Sequence, residues 1–378
     1  MDFDRKSLGR LGMTEEQVEF MDVAERFCRD HTSIAAIRKL MAAGEGVDLD
    51  AVQSIAAMGW FGIAVPEAYG GVGLSLAEAV PVAEQIGRRL MMVPFIPATI
   101  AAQAVLAGGT AEQKQKFLPQ IAEHGAAAMA VSETNGSFDL EDVAAEARET
   151  EDGYVLSGQK ILVENLNTSR LLILTAKLMG EVRLFICETH LVPETAMRRE
   201  ILIDETKRSY TLELNGLVLP KTALMDPLKT SAALKRIELT ANLLAGAEQV
   251  GAAKSCIDYT VAYLGTRKQF GKPIGSYQAL KHTIVDAYVS FEKARSLLYA
   301  AAHNFEDQRK GEIATRMAAV GAGRALSFAA DRAIQFHGGF GFTYECDAQL
   351  YRRRAIFHDS LFGNIRWHKK KLASLLFN

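Results

Sequence analysis

GSYQALKHTIVDAYVSFEKARSLLYAAAHNFEDQRKG, residues 275–311, contains neither glycine nor proline between its terminal glycines, so nothing in it forces a helix to stop. Tyr277, Ile284, Phe291, Leu298 and Phe305 recur every seven residues, and Leu280, Ala287, Ala294 and Ala301 fill the alternate seam. That is the a and d pattern of a helix packed among others, and the small residues at d call for a close neighbour. The stretch predicts one very long helix.

Outward from this stretch the helical grammar continues. A second helix is expected over about 234–265 and a third over about 312–337, which makes the last part of the chain an antiparallel bundle. The middle of the chain differs. GYVLSGQKILVEN (153–165), RLLILTAKL (170–178), EVRLFICET (181–189) and YTLELNGLVLP (210–220) are short β-branched and aromatic runs between polar turns, so strands are expected there. The N-terminal part returns to amphipathic segments, TEEQVEFMDVAERFCRD (14–30) and LDAVQSIAAMGWFG (49–62), interrupted by the Pro- and Gly-rich link VPEAYGGVG (65–73). The fold class is therefore α+β in the order helical domain (1–128), small β domain (129–222), helical bundle (223–378).

Composition narrows the partners. With 378 residues, 43 basic and 45 acidic side chains and a formal net charge of -2, the chain has no electrostatic footprint for nucleic acid or an anionic membrane. No run approaches the roughly 20 apolar residues of a membrane span. Cys28, Cys187, Cys256 and Cys346 form no CxxC pair and no zinc spacing, so neither a metal site nor a disulfide framework is expected and a cytoplasmic setting is.

Local features that rise above packing are few. TRKQFGKPIGSYQALKH (266–282) places Arg267, Lys268 and Lys272 around a Phe-Gly pair, either a basic interhelix turn or a guanidinium clamp for a pyrophosphate. QFHGGFGFTYE (335–345) carries Gly338, Gly339 and Gly341, where backbone could approach an anion or a planar ring. SGQKILVEN is a strand turn, and LYRRRAIFHDSLFGNIRWHKKK (350–371) holds two basic runs that read first as solvated helix faces. No GxSxG elbow, P-loop or HExxH pattern is present.

Together, TRKQFGKPIGSYQALKH, AIQFHGGFGFTYECDAQLYRRRA (333–355) and FGIAVPEAYGGVGLS (61–75) resemble the acyl-CoA dehydrogenase family over nearly the whole chain. The resemblance implies a helical domain, a β domain and a four-helix bundle. It also implies FAD as cofactor and α,β-desaturation of an acyl-CoA thioester to the 2-enoyl-CoA. Arg267, Gln269 and Phe270 are implied to contact the FAD of a neighbouring subunit, and Gln335, Gly338 and Gly339 its adenosine and pyrophosphate end. The same resemblance implies a homodimer, homotetramer or heterotetramer with a homologous subunit, with electron-transfer flavoprotein as electron acceptor. In the β domain the flavin loop reads SETNGSFD (132–139), with Ser132 at the family's Thr, and a second segment reads ILVEN (161–165), with Leu162 and Glu164 where the family has Trp and Thr.

The catalytic glutamate is expected at one of two family positions, which here hold Phe362 and Ala241. Glu238, Glu248 and Asp359 are nearby carboxylates. Glu248, seven residues beyond Ala241 and about 10 Å further along a helix, is the candidate base carried forward. FTYECDAQLYRRRA is closest in look to the short partner subunits of bacterial heteromeric acyl-CoA dehydrogenases, so a subunit without its own base is the alternative, alongside a family member with a different flavin-dependent reaction or a structural role.

Overall fold

The computed structural model describes residues 12–377. In chain order its helices are α1 (Glu15–His31), α2 (Ile34–Ala43), α3 (Leu49–Ala57), α4 (Leu76–Arg89), α5 (Phe95–Gly108) and α6 (Ala111–His124). Strands come next as β1 (Ala127–Ala130), β2 (Glu146–Glu149), β3 (Gly153–Ser157), β4 (Gln159–Glu164), β5 (Leu171–Leu178), β6 (Glu181–Glu188), β7 (Met197–Arg199), β8 (Ser209–Glu213) and β9 (Leu217–Pro220). The chain then returns to helix with α7 (Thr230–Thr266), a small hairpin of β10 (Lys268–Gln269) and β11 (Lys272–Pro273), and α8 (Gln278–Asn304), α9 (Gln308–His337), α10 (Ala348–His358) and α11 (Ile365–Phe377). The α, β, α order matches the expectation. No described helix is long and apolar enough to cross a membrane.

Two compact units divide these elements. One comprises Leu40–Leu76 and Met92–Ala241, the other residues 12–39, 77–91 and 242–377. In the first, β1, β5, β2, β3 and β9 form a sheet in that order with β6 added to β5, and β4, β8 and β7 form a second sheet. Pairing of β1 and β2 with β5 is parallel and the rest is antiparallel. Leu156, Val163, Leu172, Leu174, Phe185, Leu212 and Leu219 close the core behind them. A buried lysine interrupts this apolar interior. Lys160 Nζ sits 2.5 Å from Glu133 Oε1 and 2.9 Å from Thr175 Oγ1, and Glu133 also accepts the N–H groups of Ala144 and Ala145. Every charge is thus paired, which is the condition for burying one.

The helical unit shows where the sequence pattern held and where it failed. Phe291, Leu298, Ala287, Ala294 and Ala301 are buried as the seam requires, and a Cβ added at Gly321 of α9 would lie 3.4 Å from Ala294 Cα, so the small d residues do admit a close neighbour. The long helix and the one after it form as expected, but the break between them comes earlier than Gly311, with α8 ending at Asn304 and α9 starting at Gln308. The chain breaks at residues 305–307, where Asp307 accepts from the N–H groups of Arg309 and Lys310 and so starts α9. An aspartate that satisfies orphan amides is a helix start without any glycine or proline. α1 begins the same way, with Thr14 and Gln17 in a reciprocal capping box. Close crossing of α4 on α7 is set by glycines: a Cβ at Gly251 would meet Glu84 O at 1.8 Å and one at Gly87 would meet Glu248 O at 2.1 Å. Beside that crossing, Glu84 receives the Tyr299 hydroxyl at 2.7 Å and lies 3.0 Å from Arg295 Nε, all three buried.

Candidate functional site

The β10–β11 hairpin comes directly after α7. Its register, Gln269 opposite Lys272, leaves only Phe270 and Gly271 in the turn, and both take positive φ, +51° and +81°. A two-residue turn of this hand matches strand twist but favours Asn or Gly, so a phenylalanine there carries strain. Phe270 is nonetheless 91% exposed. Below it Tyr277 braces the turn, donating to Gln269 O at 3.3 Å and lying under Lys272 Nζ at 4.4 Å. Arg267 and Gln269 are exposed, and Arg267 forms no ion pair among the described residues.

The glycine segment closes α9 as a 3-10 turn, Gly338–Phe342. Its glycines differ in what demands them. Gly338 takes φ +64° and ψ -142°, a region essentially reserved for glycine, yet a Cβ on Gly338 or Gly339 would meet nothing within 4 Å. Gly341 is instead required by packing, since its Cβ would lie 2.3 Å from Ile334 O. His337 anchors the turn, stacked on Tyr259 (4.8 Å) and Tyr263 (4.1 Å) with Nδ1 2.8 Å from Ala333 O. The Tyr263 carbonyl in turn accepts the Arg267 N–H at 2.9 Å. Tyr263 therefore ties the hairpin, which carries Arg267, Gln269 and Phe270, and the glycine turn after Gln335 to one end of the same unit. An exposed guanidinium and an uncrowded glycine turn suit a pyrophosphate.

Glu248 has another occupation. It is 1% exposed, with Arg354 Nη1 2.5 Å from Oε1 and His358 Nε2 3.1 Å from Oε2. One oxygen is held by Arg354 and the other lies against His358 in a buried cluster joining α7 to α10, which closes Glu248 off from solvent. Ala241 is buried. Phe362 and Gly363 have consecutive positive φ, +52° and +116°. Asn242 Nδ2 donates to the Phe362 carbonyl at 3.1 Å, and a Cβ at Gly363 would strike the Trp367 ring at 2.5 Å. This turn is strained and held.

In the strand unit, Ser132 forms an isolated bridge to Ile161, whose N–H donates to Ser132 O at 3.0 Å. The next residue is the buried Glu133, so the Lys160 pair fixes the segment. β4 bulges between Lys160 and Val163, with Leu162 at φ +54°. A bulge orphans one ladder N–H, and here Glu200 accepts it from Leu162 at 3.2 Å while also taking the Thr211 hydroxyl at 2.9 Å and the Ser209 hydroxyl. Glu164 lies 3.6 Å from Lys207. Glu133, Lys160 and Glu200 were not singled out from sequence. A lysine inside the apolar run GYVLSGQKILV was the available signal for the first pair; Glu200 lies far from β4 in sequence and had none.

The acyl-CoA dehydrogenase N-terminal domain model matches residues 14–125 and the C-terminal domain model residues 233–373. The acyl-CoA dehydrogenase IpdE2 of Mycolicibacterium smegmatis is 30% identical over 366 residues, covering 97% of this chain and 100% of that protein. Among solved structures, a Tcur3481-Tcur3483 steroid ACAD aligns with TM-score 0.85 and 26% identity, covering 97% of this chain and 98% of that one. The ChsE4-ChsE5 complex from Mycobacterium tuberculosis aligns with TM-score 0.86 at 21% identity over 100% of this chain and 99% of that one.

Proposed function

The chain belongs to the acyl-CoA dehydrogenase family and is an acyl-CoA dehydrogenase, and from that premise we propose that it carries out FAD-dependent α,β-desaturation of an acyl-CoA thioester as one subunit of a homo- or hetero-oligomer. The observation that carries this is an exposed Arg267 with no ion pair among the described residues and a strained, exposed Phe270, on a hairpin that Tyr263 ties to the same end of the helical unit as the exposed, uncrowded turn at Gly338 and Gly339. Exposed features of this kind serve a cofactor shared with a second chain. Arg267 would hold the pyrophosphate, Gln335, Gly338 and Gly339 the adenosine and pyrophosphate end, and Gln269 and Phe270 would contact the same cofactor. Ser132, fixed beside Ile161, contributes from the β domain, whereas the Leu162 N–H is engaged by Glu200 and takes no part. Bound FAD supplies a two-electron acceptor for the hydride leaving the β carbon. Electron-transfer flavoprotein is the onward acceptor. The four buried free cysteines fit a cytoplasmic setting.

A second reading is favoured by Phe362 and Ala241: the chain is a partner subunit that completes a homologue's site and has no base of its own. The flavin absorbance spectrum of the chain, purified alone and co-produced with a homologous subunit, separates the two. A yellow chain whose flavin bleaches anaerobically with an acyl-CoA when alone supports the first and removes the second. If neither preparation holds flavin, the FAD assignment falls.

A further inference from the structure

Asp359 caps the C-terminus of α10, three residues ahead of the Phe362–Gly363 turn. Its surroundings differ from those of the other carboxylates near it. Glu248 is engaged by Arg354 and His358, and Glu84 by Arg295 and Tyr299. The cations nearest Asp359 are also taken: His358 lies against Glu248, and Arg352 Nε is 2.9 Å from Asp331. Asp359 itself makes no side-chain hydrogen bond or ion pair among the described residues, and it is exposed, so a ligand can reach it.

Its support is rigid. The Phe362 carbonyl is held by Asn242, Gly363 lies against Trp367 and His368, and the Trp367 N–H donates to Asn364 Oδ1 at 2.9 Å. Consecutive left-handed residues persist only where surrounding contacts enforce them, and such strain concentrates at functional sites. Partial burial of this still accessible carboxyl raises its proton affinity above the usual aspartate range, against the opposing pull of His358 and Arg352. The displaced acids Glu112, Glu133, Glu188, Asp226 and Glu345 all move the other way. A base works best when its pKa approaches the operating pH, so this direction suits proton abstraction.

We propose that Asp359 is the base that takes the α proton of the acyl thioester, in place of the glutamate missing at Phe362 and Ala241. An O–H bond forms on the aspartate as the α C–H bond breaks, and the electron pair passes into conjugation with the thioester carbonyl. In full turnover that pair becomes the new double bond as the β hydride leaves to FAD. The proposal rests on the desaturation reading.

The test is exchange of the α proton with D2O, followed by mass spectrometry on a panel of short, long and branched acyl-CoA thioesters, using the flavin-loaded enzyme with its partner subunit where one is needed. Asp359→Asn is expected to slow exchange by about 10²- to 10⁴-fold, with flavin content and acyl-CoA binding unchanged. Asp359→Glu should keep exchange measurable and shift its pH profile, which a purely structural residue would not do. Wild-type exchange surviving in Asp359→Asn overturns the assignment and leaves the desaturation reading standing. No exchange by the flavin-loaded wild type across the panel overturns both.

Discussion

His368 is 2% exposed, and burial together with the neighbouring Arg316 guanidinium pushes its imidazole down to about 4, with only the Gly363 backbone pulling the other way. Because the folded pKa lies below the unfolded one, the unfolded chain protonates first as pH drops. Stability is unaffected above about 6.5 and is lost as pH falls from there towards 4, by about 2 to 3 kcal/mol at the lower end. Urea unfolding of the wild type and His368→Gln across this window checks it: the variant should lack that part of the slope. Single residues were also where sequence was least informative. Phe362, Ala241, Arg267 and the glycines could be located by motif because their neighbours along the chain define them. Sequence names Asp359 only as one of three nearby carboxylates and does not name Glu200, since their character comes from which cations are already occupied and which amide a bulge has orphaned, and both are facts of three-dimensional pairing.

Between elements, the α4, α7 and α10 contacts are set by two glycines and one buried charge cluster. Glu248→Ala leaves Arg354 buried without its carboxylate and should destabilise by about 3 to 5 kcal/mol, whereas replacing the pair together with apolar side chains should recover much of that loss. Denaturant midpoints of the single and double variants decide it, and a near-neutral Glu248→Ala would show that the cluster is not what holds α10. Gly251→Ala should fail more severely, because its methyl lands on the Glu84 carbonyl and backbone cannot yield as a side-chain tip can. Helix periodicity was legible here because the heptad of α8 is a local property. The exact position of the break before α9 was not, since Asn-Phe-Glu-Asp contains no residue that forbids helix and the eye goes to Gly311; Asp307 offers the next amides a better acceptor.

At the scale of the molecule, a net charge of -2 conceals the local arrangement that matters: an exposed guanidinium, an uncrowded glycine turn and an aromatic tip at one end of the helical unit. The N-terminal half of α8 belongs with them, for Val285, Tyr288 and Val289 are exposed off the a and d seam, and the seam itself is fully buried only from Ala287 onward. A second chain is the natural cover for such a face. Phe270 makes the sharpest test because it touches almost nothing in its own chain. Phe270→Ala should leave the unfolding midpoint of the isolated chain within about 0.5 kcal/mol of wild type, since an exposed side chain with positive φ contributes no core. The same change should lower the flavin retained per chain and the fraction of oligomer on size exclusion, and Arg267→Glu should lower flavin retention further by placing a carboxylate against the pyrophosphate. Unchanged flavin content and assembly in both variants would mean that the hairpin is only a basic interhelix turn, and that neither cofactor nor partner is held there.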